Sequence, residues 1–107
     1  MKVEGVFGIK AENIMEAREI LKRMLCVEGE LREGADCGGE YYSFVADDNS
    51  YIDVCKNEDL YDGEPLYQEA EGWKVILHVG FSGEDAEWLR LLRSDVKHLT
   101  EVFADIH

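Results

Sequence analysis

The sequence predicts an α+β domain in which two helices cover one face of a mostly antiparallel sheet of four to five strands. Strand-like and helix-like hydrophobic periods follow one another along the chain in the order β-α-β-β-(β)-β-α. Each predicted helix has a single apolar stripe, which needs one apolar sheet face to pack against. With 107 residues the chain is long enough for one domain and too short for two, so we expect a two-layer sandwich over residues 1–107.

The N-terminal part supplies the first strand and the first helix. The stretch VEGVFGI places Val3, Gly5, Phe7 and Ile9 on one side, as in a strand. In AENIMEAREILKRML the apolar residues recur with helical spacing, and Asn13 with Glu16 three residues later predicts a capped helix start. Residues 28–40 are rich in glycine and predict a loop, with room for a short extended piece.

The middle of the chain predicts two hairpins separated by an acidic loop. YYSFVA and YIDVCK are rich in aromatic and β-branched residues, and DDNS between them is a typical turn. NEDLYDGEPL follows as an acidic loop. YQEAEGWKVILHVGF predicts a second hairpin that turns at Glu71-Gly72, and its second arm is the strongest strand signal in the chain.

The C-terminal stretch SGEDAEWLRLLRSDVKHLTEVFADIH predicts a helix. Ser82 with Asp85 suggests a second capping box. An apolar stripe runs along its length, formed by Trp88, Leu89, Leu92, Val96, Leu99, Val102 and Phe103. Ser94-Asp95 interrupts the pattern, so either one helix or two helices with a kink would bury the same face.

The acidic stretch DDNSYIDVCKNE, residues 47–58, has the carboxylate spacing of a calcium-binding loop. A loop of the EF-hand type needs Asp or Asn at its fifth position and Gly at its sixth, for the sharp turn. Those positions hold Tyr51 and Ile52, and the flanking segments resemble strands. The stretch is therefore interpreted as a hairpin, and no metal or other cofactor is expected.

The composition indicates a reduced, cytoplasmic protein. No apolar run approaches the length of a membrane span, and the N-terminus lacks the features of a signal peptide. The three cysteines, at positions 26, 37 and 55, match no zinc-ligand spacing and are expected to be separate thiols. The alternative for the thiols is a zinc site completed by His78 or His98.

The net charge of −13 is concentrated in the middle of the chain. Residues 28–71 contain fourteen acids and two bases, a net of −12, and also all five tyrosines. Direct binding to nucleic acid is disfavoured because phosphate contacts need Lys and Arg. A basic protein partner is favoured, since clustered carboxylates attract it at long range and tyrosine is common at interfaces.

If the helices cover one sheet face, the other face should be open. By strand alternation this face would hold Tyr41, Ser43, Tyr51, Asp53, Cys55, Lys74, Ile76 and His78. Together with the acidic loop it predicts a partner-binding set, in order of preference Glu58, Asp59, Asp62, Glu64, Tyr61 and Tyr67, then Tyr51 and Asp53.

In composition the chain resembles toxin-neutralising immunity proteins and phage-encoded inhibitors, which often present acids and aromatic residues to a basic target. This resemblance implies a non-catalytic inhibitor that occludes the cationic groove of a nuclease-like or nucleic-acid-binding protein. The alternative is a small enzyme or ligand-binding domain with a pocket near His78, where Cys55 and Asp53 would also converge. A third class, the subunit of a symmetric oligomer, would present an apolar open face or a paired edge strand.

Overall fold

The computed structural model describes residues 2–106. The strands are β1 Val3–Ile9, β2 Glu30–Gly34, β3 Gly39–Val45, β4 Tyr51–Lys56, β5 Val75–Phe81 and β6 Leu99–Ile106. The helices are α1 Ile14–Leu25 and α2 Glu87–Ser94. The predicted α+β class is confirmed, but the described chain forms one six-stranded sheet, not one of four to five strands.

All strand pairs in the sheet are antiparallel, in the order β2-β3-β4-β5-β1-β6. In the sheet β1 lies between β5 and β6. The connection that runs from β5 through α2 to β6 therefore crosses over β1. Both helices pack on the same sheet face, over a core that includes Phe7, Leu21, Phe44, Leu77 and Leu89. No helix in residues 2–106 is long and apolar enough to cross a membrane.

The start of α1 is the one that the sequence predicts. The Asn13 side-chain oxygen accepts a hydrogen bond from the backbone N–H of Glu16, at 2.9 Å. The predicted Ser82–Asp85 box does not form, because α2 begins later, with Ala86 as its N-cap residue and no side-chain cap. Ser82 instead donates its hydroxyl to the Asp48 carboxylate, at 3.0 Å.

The predicted C-terminal helix is wrong beyond Ser94. Asp95 accepts a hydrogen bond from the backbone N–H of His98, at 2.9 Å, and this turn reverses the chain. Residues 99–106 then form β6 against β1, which would otherwise be an unpaired edge strand. Only Trp88, Leu89 and Leu92 of the expected stripe lie on α2, and Val96 is 84% exposed.

Two further segments refine or correct the prediction. The glycine-rich residues 28–40 contain β2, the short extended piece for which the prediction left room, as an edge strand whose exposed side chains give no apolar signal. The first arm of the expected second hairpin is not a strand, because Gln68–Ala70 forms a 3-10 turn. The strand that follows it, and the hairpin joining β3 to β4 through residues 46–50, are as predicted.

The sheet face opposite the helices is not fully open. Residues 57–74 return across it, and Leu66, Tyr67, Ala70 and Trp73 form a second, smaller cluster with residues of the sheet. Ile76 and Cys55, both predicted to lie on an open face, are 0% and 1% exposed beneath this segment. Trp73 lies against Gly8, where a Cβ atom would come within 2.2 Å of the indole ring. The prediction failed here because residues 57–74, which contain no strand or α-helix, supply the cover.

Candidate functional site

The acidic loop begins with a compact turn, residues 58–64, which we call the acidic turn. Its ends are joined by a hydrogen bond from the Asp59 N–H to the Glu64 carbonyl, at 2.7 Å. Gly63 donates to the Asp59 carbonyl at 3.1 Å and has a φ of 75°, a left-handed conformation that favours glycine. The turn is therefore closed by its own backbone.

Two of its carboxylates also hold the turn together. Asp59 accepts hydrogen bonds from the backbone N–H groups of Tyr61 and Asp62, at 2.8 and 3.2 Å. Asp62 accepts one from the N–H of Glu64, at 2.9 Å. These are Asx turns, in which a short acidic side chain stabilises the reversal of the chain. Asp59 and Asp62 thus have a structural role that the sequence analysis did not assign to them.

The acidic turn presents two large apolar side chains to solvent. Tyr61 is 84% exposed and Leu60 is 56% exposed, although both belong to a turn with a fixed backbone. Leu60 was not singled out from the sequence. The signal that could have found it is the pair of aspartates three residues apart followed by Gly63, which is typical of a turn whose middle residues point outward.

Asn57 connects the acidic turn to the rest of the domain. Its side-chain amide donates to the carbonyls of Ala70 and Trp73, at 2.9 and 3.0 Å, and its oxygen accepts from the N–H of Leu66, at 3.0 Å. Asn57 is only 9% exposed, so these bonds satisfy backbone groups that have limited access to water. A single buried amide thus fixes both ends of the segment that crosses the sheet.

The acidic turn lies beside the end of the β2-β3 hairpin. A Cβ atom at Gly38 would be 2.7 Å from the Glu58 carbonyl oxygen, and one at Gly39 would be 3.7 Å from Leu60. A cleft of about 660 Å³ separates the turn from the start of α1. Its charged lining residues are Glu12, Glu40, Lys56, Glu58 and Lys74. Two ion pairs, Lys56–Glu58 at 3.1 Å and Lys74–Glu12, neutralise both lysines.

The second-ranked binding residues, Tyr51 and Asp53, lie apart from the turn, on the sheet face opposite the helices. The rings of Tyr51 and Tyr67 both contact His78, with centroid distances of 5.8 and 6.2 Å. Asp53 is directly opposite His78 in the β4-β5 register. The structure therefore brings Tyr51, Asp53 and Tyr67 together around His78, a group we call the His78 cluster.

The His78 cluster is half-buried and surrounded by negative charge. Burial, together with the carboxylates of Glu4 and Asp53, raises the pKa of the Tyr51 hydroxyl. Burial also raises the pKa of Tyr67. Both phenols therefore remain neutral well above pH 7 and act only as hydrogen-bonding, apolar side chains. Glu4 was missed by the sequence analysis because its place beside Tyr51 depends on the register of three strands.

The residues of the alternative site are only partly accessible. Asp53 and His78 are half-buried, whereas Cys55 is 1% exposed. The Cys55 thiol lies against the backbone carbonyl of Asp53, at 3.7 Å. Within residues 2–106 no group of three or more His, Cys, Asp or Glu side chains has a geometry that could hold a metal ion.

Comparisons of the chain with models of protein families, with curated proteins and with solved structures find no match.

Proposed function

We propose that this protein is a non-catalytic binding module that docks onto a basic protein through the acidic turn and occludes a cationic groove of that partner. The observation that carries the proposal is the exposure of Tyr61 and Leu60 on a turn whose backbone is fixed. Tyrosine is among the residues that contribute most to binding when buried at an interface.

A fixed turn reduces the cost of binding. A flexible loop loses conformational entropy when a partner orders it, by roughly 1 kcal/mol for each immobilised side chain and more for the backbone. The acidic turn has already lost its backbone freedom on folding, because three side-chain and two backbone hydrogen bonds close it. The free energy gained by burying Tyr61 would then appear mainly as affinity.

The charges around Tyr61 support a cationic partner. Glu58 and Glu64 are exposed at the ends of the turn, and the carboxylate of Glu40 lines the adjacent cleft. Carboxylates grouped around an apolar anchor accelerate association with a basic surface and disfavour an acidic one. Glu58 and Glu64 are better test positions than Asp59 and Asp62, because removing the latter carboxylates would also unfold the turn.

The His78 cluster would provide a second contact area for the same partner. A Lys or Arg side chain placed over the Tyr51 ring would lie near the Glu4 and Asp53 carboxylates, which combines a cation–π contact with ion pairing. A neighbouring depression of about 390 Å³ could hold the end of such a side chain, since its lining includes Glu4, Asp48 and Tyr51 beside a single base, Lys2.

Photo-crosslinking from the tip of the acidic turn tests the proposal. A photoreactive amino acid replaces Tyr61 in one variant and Val96 in another, and each is irradiated in extract of the native host. Both side chains are 84% exposed, so Val96, which precedes the opposite edge strand β6, is a matched control. We expect a basic protein to be crosslinked from position 61 and not from position 96.

The captured protein is then purified and its association rate is measured at several salt concentrations. We expect the rate to fall as salt rises, and to fall further when Glu58 and Glu64 are both changed to Gln. The proposal is wrong if positions 61 and 96 capture the same proteins, or if association responds neither to salt nor to the two substitutions.

A further inference from the structure

Two of the three cysteines, expected from the sequence to be separate, come together at the same small apolar cluster. Cys37 ends the 3-10 turn Ala35–Cys37, and Cys55 is near the end of β4. Cys37 packs against the small cluster that contains Cys55. The turn is pressed closely onto this strand end, since a Cβ atom at the next residue, Gly38, would be 2.8 Å from the Lys56 carbonyl oxygen.

The two thiols differ in accessibility. Cys55 is 1% exposed beneath the segment that crosses the sheet, whereas Cys37 is half-buried at the surface of the turn. The neighbouring Cys55 side chain lowers the pKa of the Cys37 thiol. The neighbouring Cys37 thiol and burial raise the pKa of Cys55. One thiol is thus reachable and more readily ionised, and the other is protected and remains protonated.

We propose that Cys37 and Cys55 form a redox-active dithiol that is oxidised to an intramolecular disulfide by small-molecule disulfides, with Cys37 as the attacking thiol and Cys55 as the resolving thiol. This inference is independent of the proposed binding function. It rests on the packing of Cys37 against the small cluster that contains Cys55 and on the unequal exposure of the two thiols. A reactive cysteine needs access to solvent, whereas a resolving cysteine needs only to be adjacent to it.

The exchange proceeds in two balanced steps. The Cys37 thiolate attacks one sulfur of a disulfide RSSR, forming Cys37–S–SR and releasing RS⁻, which takes up a proton. The Cys55 thiol then loses its proton to solvent and attacks the Cys37 sulfur. This second step forms the Cys37–Cys55 bond and expels RS⁻, which is protonated to a second RSH. The protein loses two electrons and two protons, and RSSR is reduced to two RSH.

Oxidised glutathione is a suitable probe, and the remaining cysteine provides the control. The native chain is incubated with it at neutral pH, alkylated and mapped by peptide mass spectrometry. We expect a peptide pair joined through Cys37 and Cys55, with the exposed Cys26 outside that bond. In the Cys55→Ser variant one glutathione should remain on Cys37. In the Cys37→Ser variant, glutathione should modify Cys55 about tenfold more slowly, or slower still, than it modifies Cys37 in the Cys55→Ser variant, because burial protects Cys55.

Several outcomes would overturn the inference. One is a native chain in which Cys26 reacts while Cys37 and Cys55 both stay reduced. Another is a reaction that stops at separate mixed disulfides, and a third is equal reactivity of Cys37 and Cys55 in the two serine variants. Circular dichroism verifies that each variant is folded. If a serine variant fails to fold, the mapping of the native chain alone decides, because the internal disulfide either forms or does not.

Discussion

Replacement of Asn57 by Ala tests whether one buried amide holds the segment that crosses the sheet. The substitution removes three hydrogen bonds, to the carbonyls of Ala70 and Trp73 and from the N–H of Leu66. Each bond contributes about 1 kcal/mol net, and the backbone groups left behind have limited access to water. We therefore expect Asn57→Ala to lower the free energy of unfolding by about 3 kcal/mol, measured by urea denaturation.

The matched variant Asn57→Asp separates shape from hydrogen bonding. Aspartate has nearly the same size and retains the acceptor for the Leu66 N–H, but it places a carboxylate oxygen against the carbonyls of Ala70 and Trp73. We expect it to rescue little of the stability lost in Asn57→Ala. In both variants hydrogen exchange should accelerate in residues 57–74 more than in the strands. A loss below about 0.5 kcal/mol in Asn57→Ala would refute the reasoning, because a buried anchor with three bonds must cost more.

Three further predictions follow from particular contacts. Gly80→Ala should destabilise the domain by about 1–3 kcal/mol in urea denaturation, because the new Cβ atom would lie 2.3 Å from the Tyr51 ring. An unchanged stability would contradict that packing. The backbone N–H of Ser50 lowers the pKa of Asp48 from 3.8, so this carboxylate stabilises the fold above pH 3.8 and the effect is lost as pH falls below it. Asp48→Asn should therefore reduce stability at pH 7, and the difference from the native chain should shrink at low pH; a constant difference would exclude the linkage. The Cys37–Cys55 disulfide should raise the free energy of unfolding by about 3 kcal/mol relative to the dithiol, measured with and without reductant. A free energy of unfolding that is lower in the oxidised protein than in the reduced protein would contradict this prediction and indicate a strained bond.

The sequence was sufficient for elements with a strong local signal. β1, α1 with its Asn13 cap, and the hairpin of β3 and β4 have clear periods or turn residues, and all form as predicted. The C-terminal stretch misled because Leu99, Val102 and Phe103 have helical spacing in a segment that becomes β6. This segment forms a strand because it pairs with β1, and a pairing between distant parts of the chain is a tertiary effect. The interruption at Ser94-Asp95 marked the true end of α2.

The candidate site was only partly predictable for a similar reason. Exposure of Tyr61 agrees with the expectation for an acidic loop. The cover over Cys55 and Ile76 depends on Asn57, whose role requires contacts thirteen and sixteen residues away. Nothing in a local pattern indicates such contacts. Ser43 illustrates the same limit, since it was expected on the open sheet face but is only 5% exposed.

The affinity of the crosslinked partner for two alanine variants tests the central claim most directly. Tyr61→Ala and Val96→Ala each remove a side chain that is 84% exposed, so neither should change the stability of the isolated protein by much. We predict that Tyr61→Ala weakens binding by about 2 kcal/mol, roughly thirtyfold, in isothermal titration calorimetry, while Val96→Ala binds like the native chain. Equal affinities of the two variants for the partner would contradict the claim that the acidic turn is the docking site.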